Sequence, residues 1–224
     1  MLTLMQLYGK LLDSYGHQGW WPIIGHEGNN PTKTGSIKGY HPKDYSFPRN
    51  DCERFEICIG AILTQNTNWA NVEKSLINLC NKDFLSPQKI IDNFDKVREL
   101  IKPSGYYNIK AKYLLNFSRF YFELSKRAPA RNELLAVKGI GRETADSILL
   151  YAYNEPIFVV DAYTKRLVKG LGLLDTEDYE TIRAYFEANL PRSFEIFSEF
   201  HALIVEHAKH YYSKKPYRLN DFLK

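Results

Sequence analysis

Between residues 132 and 166 the chain reads NELLAVKGIGRETADSILLYAYNEPIFVVDAYTKR, and this stretch constrains the fold more than any other. Two apolar, helix-like segments flank Val137-Lys138-Gly139-Ile140-Gly141, where glycines one residue apart supply backbone that can turn sharply and approach a partner closely. The loop opens directly into a helix, read over 143–153. The amides of Gly139 and Gly141, with the unpaired N–H groups of the first turn at Arg142, Glu143 and Thr144, then point outward with the positive end of the helix dipole behind them. That geometry holds one phosphate. Such a grip needs no base contact and reads no sequence. Ordinary helix hairpins also turn on glycine, so the loop alone leaves its role open.

After a break at Asn154-Glu155-Pro156 comes the apolar run Ile157–Val160, and then Asp161. A carboxylate that follows four apolar residues is expected at the edge of a core, where its charge is poorly screened and can act. Asp161 also precedes Ala162-Tyr163-Thr164 as a helix N-cap would, and the two uses are compatible.

Elsewhere the apolar residues recur at helical spacing almost throughout. The pattern predicts helices over 2–15, 52–64, 70–79, 87–94, 97–101, 109–124, 164–171, 179–189 and 194–210, with no convincing strand, so the fold class is all-α. The segment from Gly19 to Arg49 carries Trp20-Trp21-Pro22 and is otherwise rich in turn formers without periodicity, which marks a long loop whose part 24–43 has no assigned role. At 224 residues and 44% hydrophobic composition the chain can bury a substantial core. Its formal charge of +4 is compatible with a nucleic-acid partner without requiring one. No run of eighteen apolar residues exists and the start is too polar for a secretory signal, so an intracellular protein without a membrane partner is expected. Cys52, Cys58 and Cys80 are scattered, form neither a disulfide framework nor a metal pattern, and are expected as core thiols; Lys102, Lys110 and Lys112 read as solvated.

LLAVKGIGRETAD followed by VVDAYTKR resembles the helix-hairpin-helix and GPD segment of the base-excision DNA glycosylases related to endonuclease III. The resemblance implies that Lys138, Gly139, Gly141, Arg142 and Thr144 hold DNA phosphate and that Asp161 is the catalytic carboxylate. Gln65, in LTQNT, matches the family glutamine that enters the duplex where the target base has left; read on its own it is a helix C-cap residue. Strand-cutting members carry a lysine two residues past the second hairpin glycine, whose amine forms a Schiff base with the sugar. This chain has Glu143 there, and Lys138 is the one substitute in the hairpin.

Trp20, Trp21, Pro22 and Trp69 resemble, with Glu143, the base pocket of the small bacterial 3-methyladenine glycosylases of this family. N3- and N7-alkylated purines carry positive charge, and indole faces favour such rings by stacking and cation–π attraction. The C-terminal stretch, HALIVEHAK to KKP, is similar to the family's iron–sulfur segment, but Tyr211, Arg218 and Asp221 stand where cysteines would be expected, so no cofactor and no metal are expected. The resemblance thus implies a monomeric, monofunctional DNA N-glycosylase acting on double-stranded DNA with a damaged base. Its lobes would comprise residues 48–157 and residues 1–47 with 158–224, and Asp161 would sit at the base of the cleft. An endonuclease III-like glycosylase/lyase, a mismatch glycosylase and a non-catalytic DNA-binding module stay open as alternatives.

Overall fold

A computed structural model of the chain describes residues 2–33, 36, 38–213, 217 and 221–223. It is all-α: among the described residues the only extended pairing is one isolated antiparallel bridge, Asn29 with Lys38. The helices are α1 (Leu4–Tyr15), α2 (Asp51–Leu63), α3 (Trp69–Asn81), α4 (Pro87–Asp92), α5 (Phe94–Leu100), α6 (Tyr107–Glu123), α7 (Arg131–Ala136), α8 (Arg142–Ser147), α9 (Ala162–Gly170), α10 (Tyr179–Asn189) and α11 (Phe194–Tyr211). Their starts follow from local chemistry. Asn50, Asn68, Asp161, Asp178 and Ser193 each accept a hydrogen bond from the backbone N–H three residues on, and Thr3 with Gln6 forms a full capping box.

Two helices are buried on every side over most of their length and so become the centres of packing. In α2 every residue from Phe55 to Leu63 is buried, and it packs on α3, α6 and α8. In α11 every residue from Phe197 to Ala208 is buried, against α1 and α9. They meet across Ile148–Ala152, where the helix read over 143–153 departs from expectation: it is α-helical only to Ser147 and then widens into a π-helical turn that touches both α2 and α11. Such a widened turn is frequent at functional sites.

Ile157–Val160 runs extended through the interior without a strand partner. Side chains take up two of its amides: Phe158 N–H donates to Glu187 Oε1 at 2.9 Å, and Val160 N–H to the Tyr179 hydroxyl at 3.5 Å, while Ile157 N–H donates to the Glu155 carbonyl at 2.8 Å. The long N-terminal loop is anchored, since His41 reaches the carbonyl oxygens of Asp44 (2.8 Å) and Trp21 (2.9 Å), and Ile24 N–H donates to Glu56 at 2.6 Å.

Two expectations are corrected. Lys110 is not solvated: it is buried, and its ammonium donates to the carbonyls of Leu63 and Ser104, both at 2.7 Å, which closes the end of α2 onto the 3-10 turn Lys102–Ser104. Burial pulls its pKa down to about 8. Cys52 is exposed near the start of α2, Cys80 is half-buried, and Cys58 alone is a core thiol.

Candidate active site

The hairpin forms between α7 and α8. Gly139 has φ of +106°, a conformation costly for any side chain, and a Cβ there would stand 2.2 Å from the Tyr113 ring on α6. Gly141 differs. Its φ of −91° suits any residue, yet a Cβ would meet nothing within 4 Å, so this glycine leaves open space on the outer face of the loop. Lys138 is exposed, with its carbonyl accepting from Asn116 at 3.2 Å, and Arg142 lies 3.5 Å from Glu180. The Thr144 side chain is buried and its oxygen accepts from Gln65 at 3.1 Å, so the expected phosphate contact at this position falls to its backbone N–H alone.

Gln65 is no free C-cap. Its amide also donates to the Gly139 carbonyl at 2.9 Å, and the reversed backbone of Asn66, φ +55°, carries the chain away behind it. The turn after α2 is thereby tied to the hairpin. Sequence reasoning passed over Tyr106, which is 71% exposed and left-handed at φ +47°. Because Lys110 binds Leu63 and Ser104 together, the Tyr106 loop lies beside the Gln65 turn. The adjacent aromatics after Gly105 were the available signal.

Asp161 caps α9, and its Oδ1 accepts both the Thr164 N–H (2.7 Å) and hydroxyl (2.9 Å). Its Oδ2 faces His201 Nε2 at 3.9 Å. His201 is buried on α11, and its Nδ1 lies 2.6 Å from the Tyr151 hydroxyl on the π-helical turn. Neither partner was anticipated, because nothing in the sequence couples residues 151, 161 and 201. Glu143 opens toward solvent but is crowded by protein, and its carboxyl is pushed up to about 7 by that desolvation, then by the negative charge of Asp161, against the opposing pull of Lys165.

The three tryptophans form a row of edge-to-face contacts, Trp20 against Trp21 at 6.2 Å and Trp21 against Trp69, but its ends reach different surfaces. The Trp20 ring stands edge-on to His201, centroids 5.8 Å apart, and so reaches the Asp161 side. Trp21 is buried beneath it, wedged between Trp69 (5.4 Å) and Tyr151 (5.1 Å). Trp69 and Pro22 line a separate crevice with Ile23, Lys38 and Glu73.

At the C-terminus Arg218 and the KKP motif, residues 214–216, lie outside the described residues. Asp221 is buried and accepts from the Tyr212 hydroxyl (2.6 Å) and the Leu223 N–H (2.9 Å), with His207 Nε2 at 3.2 Å. A polar network ties this segment to α11, and no group of three or more potential metal ligands occurs among the described residues.

A glycine hairpin locked to a glutamine turn, with a carboxylate capping the helix that follows an extended run, defines a helix-hairpin-helix glycosylase of the base-excision type. The chain belongs to the HhH-GPD superfamily of base excision DNA repair proteins, whose family model matches residues 59–192. It is 43% identical over 225 residues to a Methanocaldococcus jannaschii protein named "Putative DNA repair glycosylase", covering 95% of this chain and 90% of that one. It is 31% identical over 150 residues to Thermotoga maritima endonuclease III, covering 65% and 70%. Among solved structures it resembles the H. pylori 3-methyladenine DNA glycosylase bound to 1,N6-ethenoadenine, with a TM-score of 0.62 and 36% identity, over 69% of this chain and 84% of that one. A non-covalent endonuclease III–DNA complex shares the fold at a TM-score of 0.73 and 19% identity, over 97% and 91%. The protein is thus a DNA repair glycosylase of this superfamily. No described helix is long and apolar enough to cross a membrane.

Proposed function

We propose that this protein is a monofunctional DNA N-glycosylase that turns an alkylated purine, such as 3-methyladenine, out of the duplex and hydrolyses its bond to deoxyribose. The observation that carries the reading is Asp161, whose Oδ1 is held by Thr164 while Oδ2 accepts no hydrogen bond, with Glu143 near enough to feel its charge. A carboxylate oxygen held ready favours the positive charge that develops on the sugar, and the negative potential around it favours a cationic base. Neutral bases gain only the first effect. The H. pylori relative, a 3-methyladenine glycosylase, supports the same substrate class.

The residues then divide the work. Backbone amides of the Gly139–Gly141 loop, with Lys138 and Arg142, grip a phosphate on the open face at Gly141. Gln65 leaves its bonds to Gly139 and Thr144 to fill the gap in the stack, and the exposed Tyr106 beside it meets the duplex. Asp161 Oδ1 is occupied by Thr164, which leaves Oδ2 to stabilise the sugar cation and take a proton from the attacking water. Glu143 cannot form an imine, so hydrolysis ends the reaction without strand cleavage.

Two lobes, residues 48–157 and residues 1–47 with 158–224, are part of the same proposal, as is action as a monomer. The packing of α1 on α11 and α10, and of α9 on α11, supports the grouping of both termini.

The test is a panel of duplexes with 3-methyladenine, 7-methylguanine, uracil, mismatched thymine or 8-oxoguanine, scored for abasic sites before and after alkali. Release of methylated purines, strand breaks only after alkali and no borohydride-trapped adduct are expected. Base release confined to mismatched or oxidised lesions would replace the substrate assignment, a trapped adduct would make Lys138 or Lys165 a nucleophile, and no release at all would leave a DNA-binding module.

A further inference from the structure

His201 Nε2 has no hydrogen-bond partner although it is buried from solvent, and the oxygen that faces it, 3.9 Å away, is the free one of Asp161. A polar nitrogen left dry and unpaired is destabilising, so its retention at this place calls for a use.

The proton on this ring can be placed. Burial holds the His201 pKa below its ordinary value, so the imidazole is neutral at pH 7 and carries one N–H. If that proton sat on Nδ1, it would donate to Tyr151, and the Nε2 lone pair would face a carboxylate oxygen across a dry gap. That arrangement is repulsive. If it sits on Nε2, the Tyr151 hydroxyl donates to Nδ1 at 2.6 Å, much closer than its alternative acceptor, the Ser198 carbonyl at 3.2 Å. The second arrangement satisfies Nδ1 and turns the Nε2–H toward Asp161 Oδ2 instead of setting a lone pair against it.

The remaining neighbours do not compete for Nε2. Glu199, the carboxylate nearest in sequence on α11, is held by the Gln18 N–H (2.6 Å), the Tyr45 hydroxyl (3.1 Å) and His17 (3.3 Å). Glu143 feels the charges of Asp161 and Lys165, and Trp20 presents only a ring to His201. Thr164 spends its N–H and hydroxyl on Oδ1.

We propose that His201 is a positioning residue: its Nε2–H, set by Tyr151, is the donor reserved for Asp161 Oδ2, and it fixes the plane of the carboxylate toward the sugar when the cleft closes on DNA. Closing by about 1 Å brings the pair to ordinary hydrogen-bond distance. With Oδ1 held by Thr164 and Oδ2 by His201, the carboxylate cannot rotate. The inference rests on the glycosylase reading for its catalytic consequence, but the tautomer is a property of the free protein.

The test therefore has two arms. In the first, nitrogen-15 NMR of the full-length free protein is expected to show His201 as the neutral Nε2–H tautomer at pH 7, whatever substrate the enzyme takes. An Nδ1–H ring or an imidazolium overturns the proposal. In the second, single-turnover base release and duplex affinity are measured for His201→Phe, which keeps an aromatic ring, and for Tyr151→Phe, which removes only a hydroxyl. Base release should fall at least about tenfold in His201→Phe, since misplacing a reacting group by about 1 Å can cost on the order of 100-fold. Affinity for undamaged duplex should stay within about twofold in both, because phosphate contacts supply that binding. Tyr151→Phe should fall between wild type and His201→Phe. A folded His201→Phe that releases base at the wild-type rate overturns the proposal. If His201→Phe does not fold, Tyr151→Phe with full activity does so. If the wild type acts on no lesion, the glycosylase reading fails and the tautomer alone decides.

Discussion

Gln65 donates from its side-chain amide to the carbonyl oxygen of Gly139 at 2.9 Å, which couples the turn after α2 to the centre of the hairpin across 74 positions of sequence. A glutamine that must fill a duplex gap has to break this bond and the one to Thr144, so each state of the protein uses the same side chain. Gln65→Ala should therefore cost the free protein little, about 1 kcal/mol for the lost bonds, and cost the complex more. The expected outcome is a melting temperature lowered by a few degrees with base release down at least about tenfold, the order for a group that holds the extruded state. Equal losses in stability and activity would assign Gln65 to the fold alone.

The two hairpin glycines should separate cleanly. Gly139→Ala places a methyl group into the Tyr113 ring at a left-handed backbone position, a combination of overpacking at about 1–3 kcal/mol and backbone strain at about 1–2 kcal/mol. Gly141→Ala meets neither obstacle, so thermal stability should match the wild type. Its methyl group enters the open space on the outer face of the loop, where the proposed phosphate would sit, and duplex affinity should fall. Titration of undamaged duplex alongside thermal melts checks both halves, and a Gly141→Ala protein with full affinity would remove the hairpin from DNA contact.

Stability should fall as pH rises from about 4.5 to 7 because of Glu56. This carboxyl is buried on α2, where desolvation pushes its pKa up to about 7, partly opposed by the Ile24 N–H that it accepts. In that window the folded chain keeps a proton that the unfolded chain has released, so unfolding releases protons and each pH step favours it. The stability is fully present below pH 4.5 and lost above 7, by up to about 3 kcal/mol. Glu143, also raised to about 7, acts in the same sense with less weight because its side chain is exposed, and the buried His41, His201 and His207, lowered from their ordinary value, oppose the slope near its upper end. Asp44 and Glu133, both held down to about 2, titrate below this range and act in the opposite sense. Glu56→Gln retains an acceptor for Ile24 and should make the profile shallower than that of the wild type; an unchanged slope in that variant would show that other groups carry it.

How much was legible follows from what makes each signal local. α10 matches its expected bounds and the other expected helices match within a few residues, save the one read over 143–153 with its π-helical end, because helical spacing is written in consecutive positions. Asp161 was legible because the apolar run before it and the N-cap position after it are both adjacent in sequence. Lys110 was misread because its reason for burial, two carbonyls at the ends of other elements, lies 47 and 6 residues away. The partnership of Asp146 with Arg131 and Tyr179 joins α8 to α7 and α10 and gives no sequence pattern at all. The same holds for His201, an unremarked member of the buried middle of α11 until Asp161 and Tyr151 are placed around it.

Of the three tryptophans, only Trp20 touches the Asp161–His201 side, so it should be the one that selects bases. Trp21 is buried between two aromatic rings, with its indole N–H facing the core at 3.1 Å from where a Gly60 side chain would begin. Truncating it should cost about 3–5 kcal/mol of folding stability, as for other buried aromatic residues. Trp20 is half-buried and should cost less. If its face stacks on the extruded base, Trp20→Ala should lose about 1–3 kcal/mol of interaction with the base, seen as slower release of 3-methyladenine at unchanged affinity for undamaged duplex. Trp20→Phe keeps a stacking face and should retain most activity, whereas Trp20→Leu, of similar bulk without a π face, should behave like alanine. Trp69→Ala, whose ring packs on Trp21 and lines a different crevice, should change melting temperature more than base choice. Excision rates for 3-methyladenine and for a neutral lesion, taken together across the four variants, decide the matter: a Trp20→Ala enzyme that remains folded and excises the methylated base at the wild-type rate leaves Glu143 and Asp161 as the sole source of selectivity for a cationic base.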